Sequence, residues 1–303
     1  MKMDIGRLIQ VSHYARKQSK DIAVNAERGI SYRMKIYIDM MICFLKYRMW
    51  TNQYIAENFY NKNKSEREII GQRYAEEGLK RDNWQKDFRE NRNFLIKYSN
   101  IKYEKASLRS KRDKAYTERY HAGKNLFVEY DVNISRQHYL DGTISLGDNV
   151  LLAKHVFIDY SGEVIIKDNV KIASGVIIES HSHTSEGLYT NAALTKRTIP
   201  KKLLIEDSVS IGSNTIILET CSKIGRGARI GAGCVIRCEI PPYAVVTGNP
   251  AKIVGFVFSP SILEEYEENF YPLEKRISIE EYEANYKKYY LDRLSTIKDH
   301  ISL

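Results

Sequence analysis

The stretch "LGDNVLLAKHVFIDYSGE", residues 146–163, places a large aliphatic residue at every sixth position. Units of the same kind, with Leu or Ile first, continue from Ile166 to Ile178 and resume at Ile205. The fifth position of a unit is usually Val, Ala, Cys or Thr. An α-helix has a period of about 3.6 residues and an ordinary strand a period of about 2, so neither explains this pattern.

A six-residue repeat is typical of a parallel β-helix built from short, straight strands. We expect the first and fifth positions to point inward, where equivalent residues of successive coils stack into one core. Gly, Asp, Asn and Ser fill the corners, because these residues adopt turn conformations at little cost. The β-helix is predicted to occupy residues 126–256.

The N-terminal segment, residues 1–125, is predicted to form a helical domain. Proline is absent from it, glycine is rare, and apolar residues such as Ile38, Met41 and Ile42 recur at three- and four-residue spacing. Gly78 fits the end of one helix.

The C-terminal segment, residues 257–303, is predicted to be a helical extension. Ser259 and Pro260 fit a helix cap and first turn, and Ser278 with Glu281 fits a capping box. The predicted fold class is therefore mainly β, a β-helix between two helical segments.

The net charge of +9 is unevenly distributed along the chain. Residues 1–125 carry 28 Lys and Arg against 15 Asp and Glu, whereas residues 126–255 carry 13 of each. This basic excess is a solvated surface, a docking surface for anionic lipid headgroups, or a site for a phosphorylated partner. No nucleic-acid-binding motif accompanies it, so nucleic acid is not the expected partner.

The chain is expected to be cytoplasmic, at the inner face of the membrane if the basic helices dock there. Its longest apolar run, residues 37–47, is shorter than the roughly 20 residues of a membrane span, and the N-terminus lacks a signal-like apolar region. The four cysteines have none of the spacings of zinc-binding clusters and are expected to be reduced.

The repeat is interrupted between Ile178 and Ile205 by a polar segment that begins with His181, Ser182 and His183. A β-helix is a regular prism, so a pocket requires a loop that leaves one coil. In the repeat register Ser182 points inward and both imidazoles point outward. Imidazole, with a reference pKa near about 6.5, is a suitable general base at neutral pH.

The hexads, together with "GVIIESHSHT" (175–184) and "VVTGNPAKIVGF" (245–256), resemble those of the hexapeptide-repeat acyltransferases. Within that family the sequence is most similar to bacterial polysaccharide- and capsule-associated sugar O-acetyltransferases. The resemblance implies a left-handed parallel β-helix, a homotrimer with active sites between neighbouring subunits, acetyl-CoA as acyl donor, and no metal. The implied function is acetyl transfer to a hydroxyl of a sugar or glycoconjugate precursor.

The resemblance also implies roles for individual residues. Counted from Gly175 and Val176, His183 falls on the family's catalytic histidine, and His181 is the second candidate. Asp159, with its neighbour Tyr160, aligns with acidic residues that contact the acceptor sugar; the alternative is a simple corner residue. The expected acetyl-CoA site comprises residues of the later coils and the closing segment: Gly212, Ser213, Arg229, Ala232 and Lys252.

Other functions remain open at this point. The same base and cofactor serve N-acetylation of an amino-sugar nucleotide, and a trimeric β-helix without activity is a scaffold. Carbonic anhydrases of the same fold bind zinc, for which His181 and His183 with His155 or His138 are possible ligands. The acceptor, the modified hydroxyl and the length of the acyl group are not determined by the sequence.

Overall fold

The computed structural model describes residues 9, 12, 13, 15–17, 19, 20, 29–47, 64–137, 140–183 and 198–301. Contacts divide the chain into two compact units, Met1–Lys86 and Asp87–Leu303. Among the described helices, none combines the length and the hydropathy that a transmembrane span requires. The domain boundaries predicted after residues 125 and 256 stay predictions.

The helices flank the β-strands in sequence. They are α1 (Ile30–Tyr47), α2 (Lys64–Tyr98), α3 (Ala106–Tyr120), α4 (Pro260–Phe270), α5 (Ile279–Tyr289) and α6 (Leu294–Ile301), with short 3-10 turns at Ile101–Glu104, Leu273–Lys275 and Leu291–Arg293. Gly78 lies inside α2, so the prediction that it ends a helix is wrong. One glycine costs a helix only about 1 kcal/mol, which is too little to end it.

The predicted starts of the two C-terminal helices are confirmed. Helix α4 begins at Pro260, and its N-cap position is Ser259. The Ser278 hydroxyl caps α5 by accepting a hydrogen bond of 3.2 Å from the backbone N–H of Glu281. A side-chain cap therefore starts α5, whereas α4 starts at a proline in its first turn without a side-chain hydrogen bond from Ser259.

All but two of the described strands form three sheets that the chain visits in turn, which is the predicted parallel β-helix. Pairing is parallel throughout these sheets except between β17 and β18. The first sheet contains β1 (Phe127–Val128), β4 (Leu151–Leu152), β7 (Lys171–Ile172), β12 (Ser210–Ile211), β15 (Arg229–Ile230), β17 (Ala244–Thr247) and β18 (Lys252–Phe256). The second contains β2 (Asn133–Ser135), β5 (Phe157–Asp159), β8 (Ile177–Ile178), β13 (Ile216–Ile217) and β16 (Val235–Ile236). The third contains β3 (Thr143–Leu146), β6 (Glu163–Ile166), β11 (Lys202–Ile205) and β14 (Lys223–Ile224).

The core is a stack of equivalent side chains, as the repeat predicts. In the second sheet each aliphatic residue lies in register with the next one along the stack. The column consists of Ile134, Ile158, Ile178, Ile217 and Ile236, each at most 1% exposed. Because each isoleucine within the column packs between two others, no coil has a complete core by itself.

Close approach of two coils explains one glycine. A Cβ on Gly142 would lie 1.9 Å from the carbonyl oxygen of Tyr160 and 2.6 Å from that of Ser161. We expect Gly142→Ala to lower the free energy of unfolding by about 1–3 kcal/mol, since backbone atoms must move apart. Denaturant unfolding measures this. Gly255→Ala is the matched control, because a Cβ there meets nothing within 4 Å; equal stability of the two variants would contradict the expectation.

Side chains from α2 and α3 cover the edge of the first coil. The Asp113 carboxylate accepts from the backbone N–H of Val128 at 3.0 Å. Asn91 and Tyr120 both donate to the carbonyl oxygen of Ile134, at 2.9 and 2.7 Å. At the other end of the first sheet, β18 folds back antiparallel on β17. Edge groups that would otherwise need a partner are thereby satisfied.

A buried carboxylate attaches α4 to the β-helix. Glu267 is 1% exposed and accepts from the hydroxyl of Tyr243 at 2.6 Å and the backbone N–H of Ile277 at 3.0 Å. It also pairs with Arg226 at 2.9 Å. Burial lowers the pKa of Arg226, but the negative charge of Glu267 more than offsets this and leaves that pKa raised.

Candidate active site

The candidate site lies where the chain leaves the second sheet before it enters the third. After β8 the chain forms β9 (His181–His183), which pairs antiparallel with β10 (Thr198–Pro200). The predicted excursion between Ile178 and Ile205 therefore starts and ends in a two-stranded ribbon. Its intervening residues 184–197 lie outside the described part of the chain.

Asp159 and His181 form a close pair at the base of this ribbon. Oδ2 of Asp159 lies 2.5 Å from Nδ1 of His181. The Asp159 side chain is fully buried at the end of β5, and the His181 side chain is 11% exposed. A carboxylate that holds Nδ1 fixes the orientation of the imidazole and leaves Nε2 as its other nitrogen.

Several further groups hold Asp159 in its charged form. Its Oδ1 accepts from the backbone N–H of Ser161 at 3.0 Å and from the Ser161 hydroxyl at 2.6 Å, and the backbone N–H of Ser180 approaches Oδ2 at 3.3 Å. Burial raises the pKa of Asp159, but the hydrogen bonds from Ser161 and His181 outweigh it, so the pKa is lowered. A buried carboxylate with this many donors is a fixed negative charge.

His183 lies beside this pair and is exposed. Its ring meets the ring of His181 edge-on, with centroids 5.0 Å apart and planes at 83°. The prediction that both imidazoles point outward thus holds for His183 and is wrong for His181. The reason is the buried charge of Asp159, which turns the His181 ring toward the coil.

Glu179 adds a second carboxylate next to the pair. Burial raises the pKa of Glu179, and the negative charge of Asp159 raises it further. Asp159, Glu179 and His181 each offer one atom that could bind a metal ion, and these three atoms all lie within 4.8 Å of one another. Within this group Asp159 and His181 are in direct contact, because 2.5 Å is a hydrogen-bond distance.

The zinc hypothesis based on the histidine pair receives no support from the described residues. His183 and His155 are not part of the group that combines His181 with two carboxylates. His155 lies at a corner, where its Nδ1 is 2.7 Å from Oδ2 of Asp131. His138 lies outside the described residues. The expectation that the protein needs no metal stays a prediction.

Tyr160, predicted beside the acceptor, is partly buried against the core. Its ring meets that of Tyr120 nearly at right angles, with centroids 6.4 Å apart. Burial raises the pKa of Tyr160, so its hydroxyl is neutral at physiological pH. The structure thus gives Tyr160 a packing role next to Asp159, and its contact with an acceptor stays a prediction.

The predicted acetyl-CoA residues lie at a different corner, where the first sheet passes to the second. Gly212 and Ser213 follow β12, and Ala232 and Gly233 follow β15 one coil later. The backbone N–H of Gly233 donates to the carbonyl of Ser213 at 2.8 Å. A Cβ on Gly212 would lie 2.5 Å from the nitrogen of Ala232, so the two coils are in close contact.

The two predicted basic residues of that site are both in the first sheet. Arg229 is exposed on β15, and its guanidinium donates to the carbonyls of Ser208 at 2.6 Å and Gly227 at 3.0 Å. Lys252 begins β18 and pairs in register with Thr247. The structure therefore groups the cofactor candidates on neighbouring strands and turns, apart from the histidine corner.

Sequence reasoning missed the partners of Asp159. Ser161 and Ser180 carry no special signal, because serine is an ordinary corner residue, and Gln137 lies before the first regular unit of the repeat. Gln137 donates its backbone N–H to the Ser161 hydroxyl at 2.9 Å, so a neighbouring coil also contributes. Only their position in the sequence could have indicated them, since Ser161 and Ser180 lie within two residues of the predicted site residues Asp159 and His181.

The lowered pKa of Asp159 gives a prediction for acid stability. A carboxyl whose folded-state pKa is lowered stabilises the fold above its unfolded pKa of about 3.9, and this contribution is lost as the pH falls through the folded value. We expect Asp159→Asn to lose less stability than the parent protein between neutral pH and about pH 3, measured by denaturant unfolding. Asp113→Asn is the control, because burial raises the pKa of Asp113 and its effect has the opposite sign.

Comparisons with known proteins bear on the repeat region. The chain is 30% identical over 130 residues to serine acetyltransferase of Salmonella typhimurium (strain LT2), which covers 43% of this chain and 42% of that protein. It is 44% identical over 52 residues to 2,3,4,5-tetrahydropyridine-2,6-dicarboxylate N-acetyltransferase of Staphylococcus aureus (strain JH9), covering 17% of this chain and 21% of that one. The chain thus spans less than half the length of these curated relatives. No family model matches it.

The fold of this chain is similar to that of a solved acetyltransferase structure. The maltose O-acetyltransferase of Clostridium difficile 630 superimposes with a TM-score of 0.50 at 24% identity, over 58% of this chain and 89% of that one. The chain has the hexapeptide-repeat acetyltransferase fold. At this identity the likeness shows the fold alone.

Proposed function

We propose that the protein transfers an acetyl group from acetyl-CoA to a hydroxyl of a sugar or of a polysaccharide or glycoconjugate precursor. The observation that carries the proposal is the exposed imidazole of His183 next to the ordered Asp159–His181 pair, at the corner of a β-helix. The similar proteins are acetyltransferases by name, and the one from Clostridium difficile is named as an O-acetyltransferase of a sugar.

The chemistry requires a base. A neutral hydroxyl is a weak nucleophile, so its proton moves to an imidazole as the oxygen attacks the thioester carbonyl. The tetrahedral intermediate then collapses, the carbon–sulfur bond breaks, and the imidazolium returns the proton to the coenzyme A thiolate. Because a thioester is already activated, neither a metal nor an acyl-enzyme is required.

We assign the base to His183 and a positioning role to His181. The exposure of His183 supports this assignment, because a bulky acceptor can reach its ring without rearrangement of the coil. His181 is held at Nδ1 by Asp159 and packs edge-on against His183, so it limits the orientations of the His183 ring. Asp159 is then the anchor of the pair, and any contact that it makes with the acceptor is secondary.

The acyl donor is proposed to lie along the turns that contain Gly212, Ser213 and Ala232, with Arg229 and Lys252 toward its phosphates. Basic side chains suit phosphate binding. These residues and His183 occupy different corners of one chain. A homotrimer, in which the donor groove of one copy faces the histidine corner of the next, brings the two together.

Thiol release from acetyl-CoA in the presence of candidate acceptors tests the proposal. The panel contains free sugars, nucleotide sugars and lipid-linked oligosaccharides, and mass spectrometry identifies an acetyl ester on the product. We expect acceptor-dependent thiol release with at least one hydroxyl acceptor. Absence of turnover with every acceptor, from a protein that binds acetyl-CoA, would favour the scaffold function.

N-acetylation of an amino-sugar nucleotide is the second candidate. The 44% identity to an enzyme named as an N-acetyltransferase favours it over a scaffold without activity, although that match covers only 52 residues. The same panel with amino sugars decides between the two transfer reactions. An amide product resists hydroxylamine under conditions that cleave an ester, so the linkage itself identifies the function.

A further inference from the structure

The N-terminal unit exposes an apolar surface on one side of α1. Ile30, Met34, Ile38 and Ile42 recur at intervals of four residues and are between 48% and 80% exposed. Four-residue spacing places them along one side of the helix. We call these four residues the apolar stripe. A continuous row of half-exposed aliphatic side chains is unusual for a surface that faces only water.

Basic side chains accompany this stripe. Residues 12–42 contain six Lys and Arg against three Asp and Glu. The basic side chains that the structure describes there are Arg16, Lys17, Lys20, Arg33 and Lys35. A hydrogen bond of 2.9 Å between Ser12 and Tyr37 connects the segment that carries the first three to α1. Residues 1–86 as a whole contain 17 Lys and Arg against 10 Asp and Glu, which supplies most of the protein's net charge of +9.

We propose that this unit docks on an anionic lipid bilayer, with the apolar stripe in the headgroup boundary and the basic side chains on the lipid phosphates. A helix that combines an aliphatic side with neighbouring Lys and Arg is the physical pattern of an interfacial helix. The positive charge favours an anionic bilayer over a second copy of this unit as the partner of the stripe, because the second copy is equally basic and is repelled. The proposal does not depend on acetyl transfer.

Sedimentation of the full chain with vesicles tests this. We expect the protein to bind vesicles of equimolar phosphatidylcholine and phosphatidylglycerol at least about tenfold more tightly than vesicles of phosphatidylcholine alone. This binding should weaken as salt is added.

Ile38→Glu is expected to reduce binding to the anionic vesicles at least about tenfold, because it puts a charge into the apolar part of the lipid headgroup boundary. Leu79→Glu is the matched control: Leu79 is 63% exposed on α2, and its replacement changes the charge equally. We expect it to bind within about twofold of the parent protein.

A variant in which Arg16, Lys17 and Lys20 are all changed to Gln tests the charge independently. Each lost basic residue should weaken binding to the anionic vesicles roughly fivefold. Thermal unfolding establishes whether each variant is folded. If Ile38→Glu does not fold, the vesicle binding of the triple Gln variant tests the proposal by itself.

Failure of the parent protein to bind anionic vesicles would overturn the proposal, as would equal binding by Ile38→Glu and Leu79→Glu. A drop in the oligomer mass of Ile38→Glu without vesicles would assign the stripe to a contact between copies instead. Thiol release with a soluble acceptor should stay unchanged in Ile38→Glu.

Discussion

His183→Ala is expected to lower the turnover of acetyl-CoA-dependent acyl transfer by a factor of about 100 or more. The exposed imidazole is the proposed proton acceptor, and alanine leaves the attacking hydroxyl without one. The fold should be unaffected, because His183 is exposed at the end of β9 and adds nothing to the isoleucine column. Initial rates of thiol release, measured together with thermal unfolding, give both quantities.

His181→Ala and Asp159→Asn are the comparisons that separate the base from its support. If His181 positions His183, both variants should lose about tenfold in turnover, and the pH dependence of the remaining activity should still show one imidazole. Weakly basic amines or imidazole added to His183→Ala should restore part of the rate, whereas they should not help Asp159→Asn. A larger loss in His181→Ala than in His183→Ala would exchange the two roles.

Glu267→Ala is expected to destabilise the protein by about 3–5 kcal/mol. Removal of this carboxylate takes from the largely buried Arg226 its closest counter-ion and from Tyr243 its hydrogen-bond acceptor. The guanidinium still donates to the carbonyl of Lys275 and lies over the ring of Tyr271, and Oδ2 of Asp207 lies 3.9 Å from its Nε, which is too far for a hydrogen bond. Denaturant unfolding measures the loss directly.

Removal of both charges distinguishes an unpaired cation from lost packing. Arg226→Met combined with Glu267→Leu should recover most of the lost stability, because apolar side chains of similar volume replace a buried ion pair at little cost. If the double variant is as unstable as Glu267→Ala, packing of α4 rather than the orphaned charge causes the loss. Activity should follow the fraction of folded protein in all of these variants.

The β-helix was predictable from the sequence because a six-residue repeat places equivalent side chains above one another in successive coils. A column such as Ile158, Ile178 and Ile217 follows directly from the six-residue spacing, and the structure confirms it. The antiparallel return of β18 has no such signal, since a strand's direction depends on the turn before it. The same holds for Asn91 and Tyr120, which cover an edge that is distant from them in sequence.

The position of the candidate site in the fold was predictable from the sequence, but its contacts were predictable only in part. The interrupted repeat locates the two histidines, since a coil cannot continue where its aliphatic residue is missing. The pairing of Asp159 with His181 crosses from one coil to the next. Its prediction requires the number of residues in each coil and the orientation of each side chain at the corner, and a sequence pattern supplies only the first. The prediction that His181 points outward failed for this reason.

The covered ends of the β-helix restrict how this protein assembles. A stack of strands with free ends is a template on which the next molecule adds, and the product is a fibre. Here Asp113, Asn91 and Tyr120 occupy the hydrogen-bonding positions at the beginning of the stack, and β18 occupies the end of the first sheet. We expect these contacts to oppose axial growth, so that copies of the chain would associate through the flanks of the prism and form closed particles of fixed size.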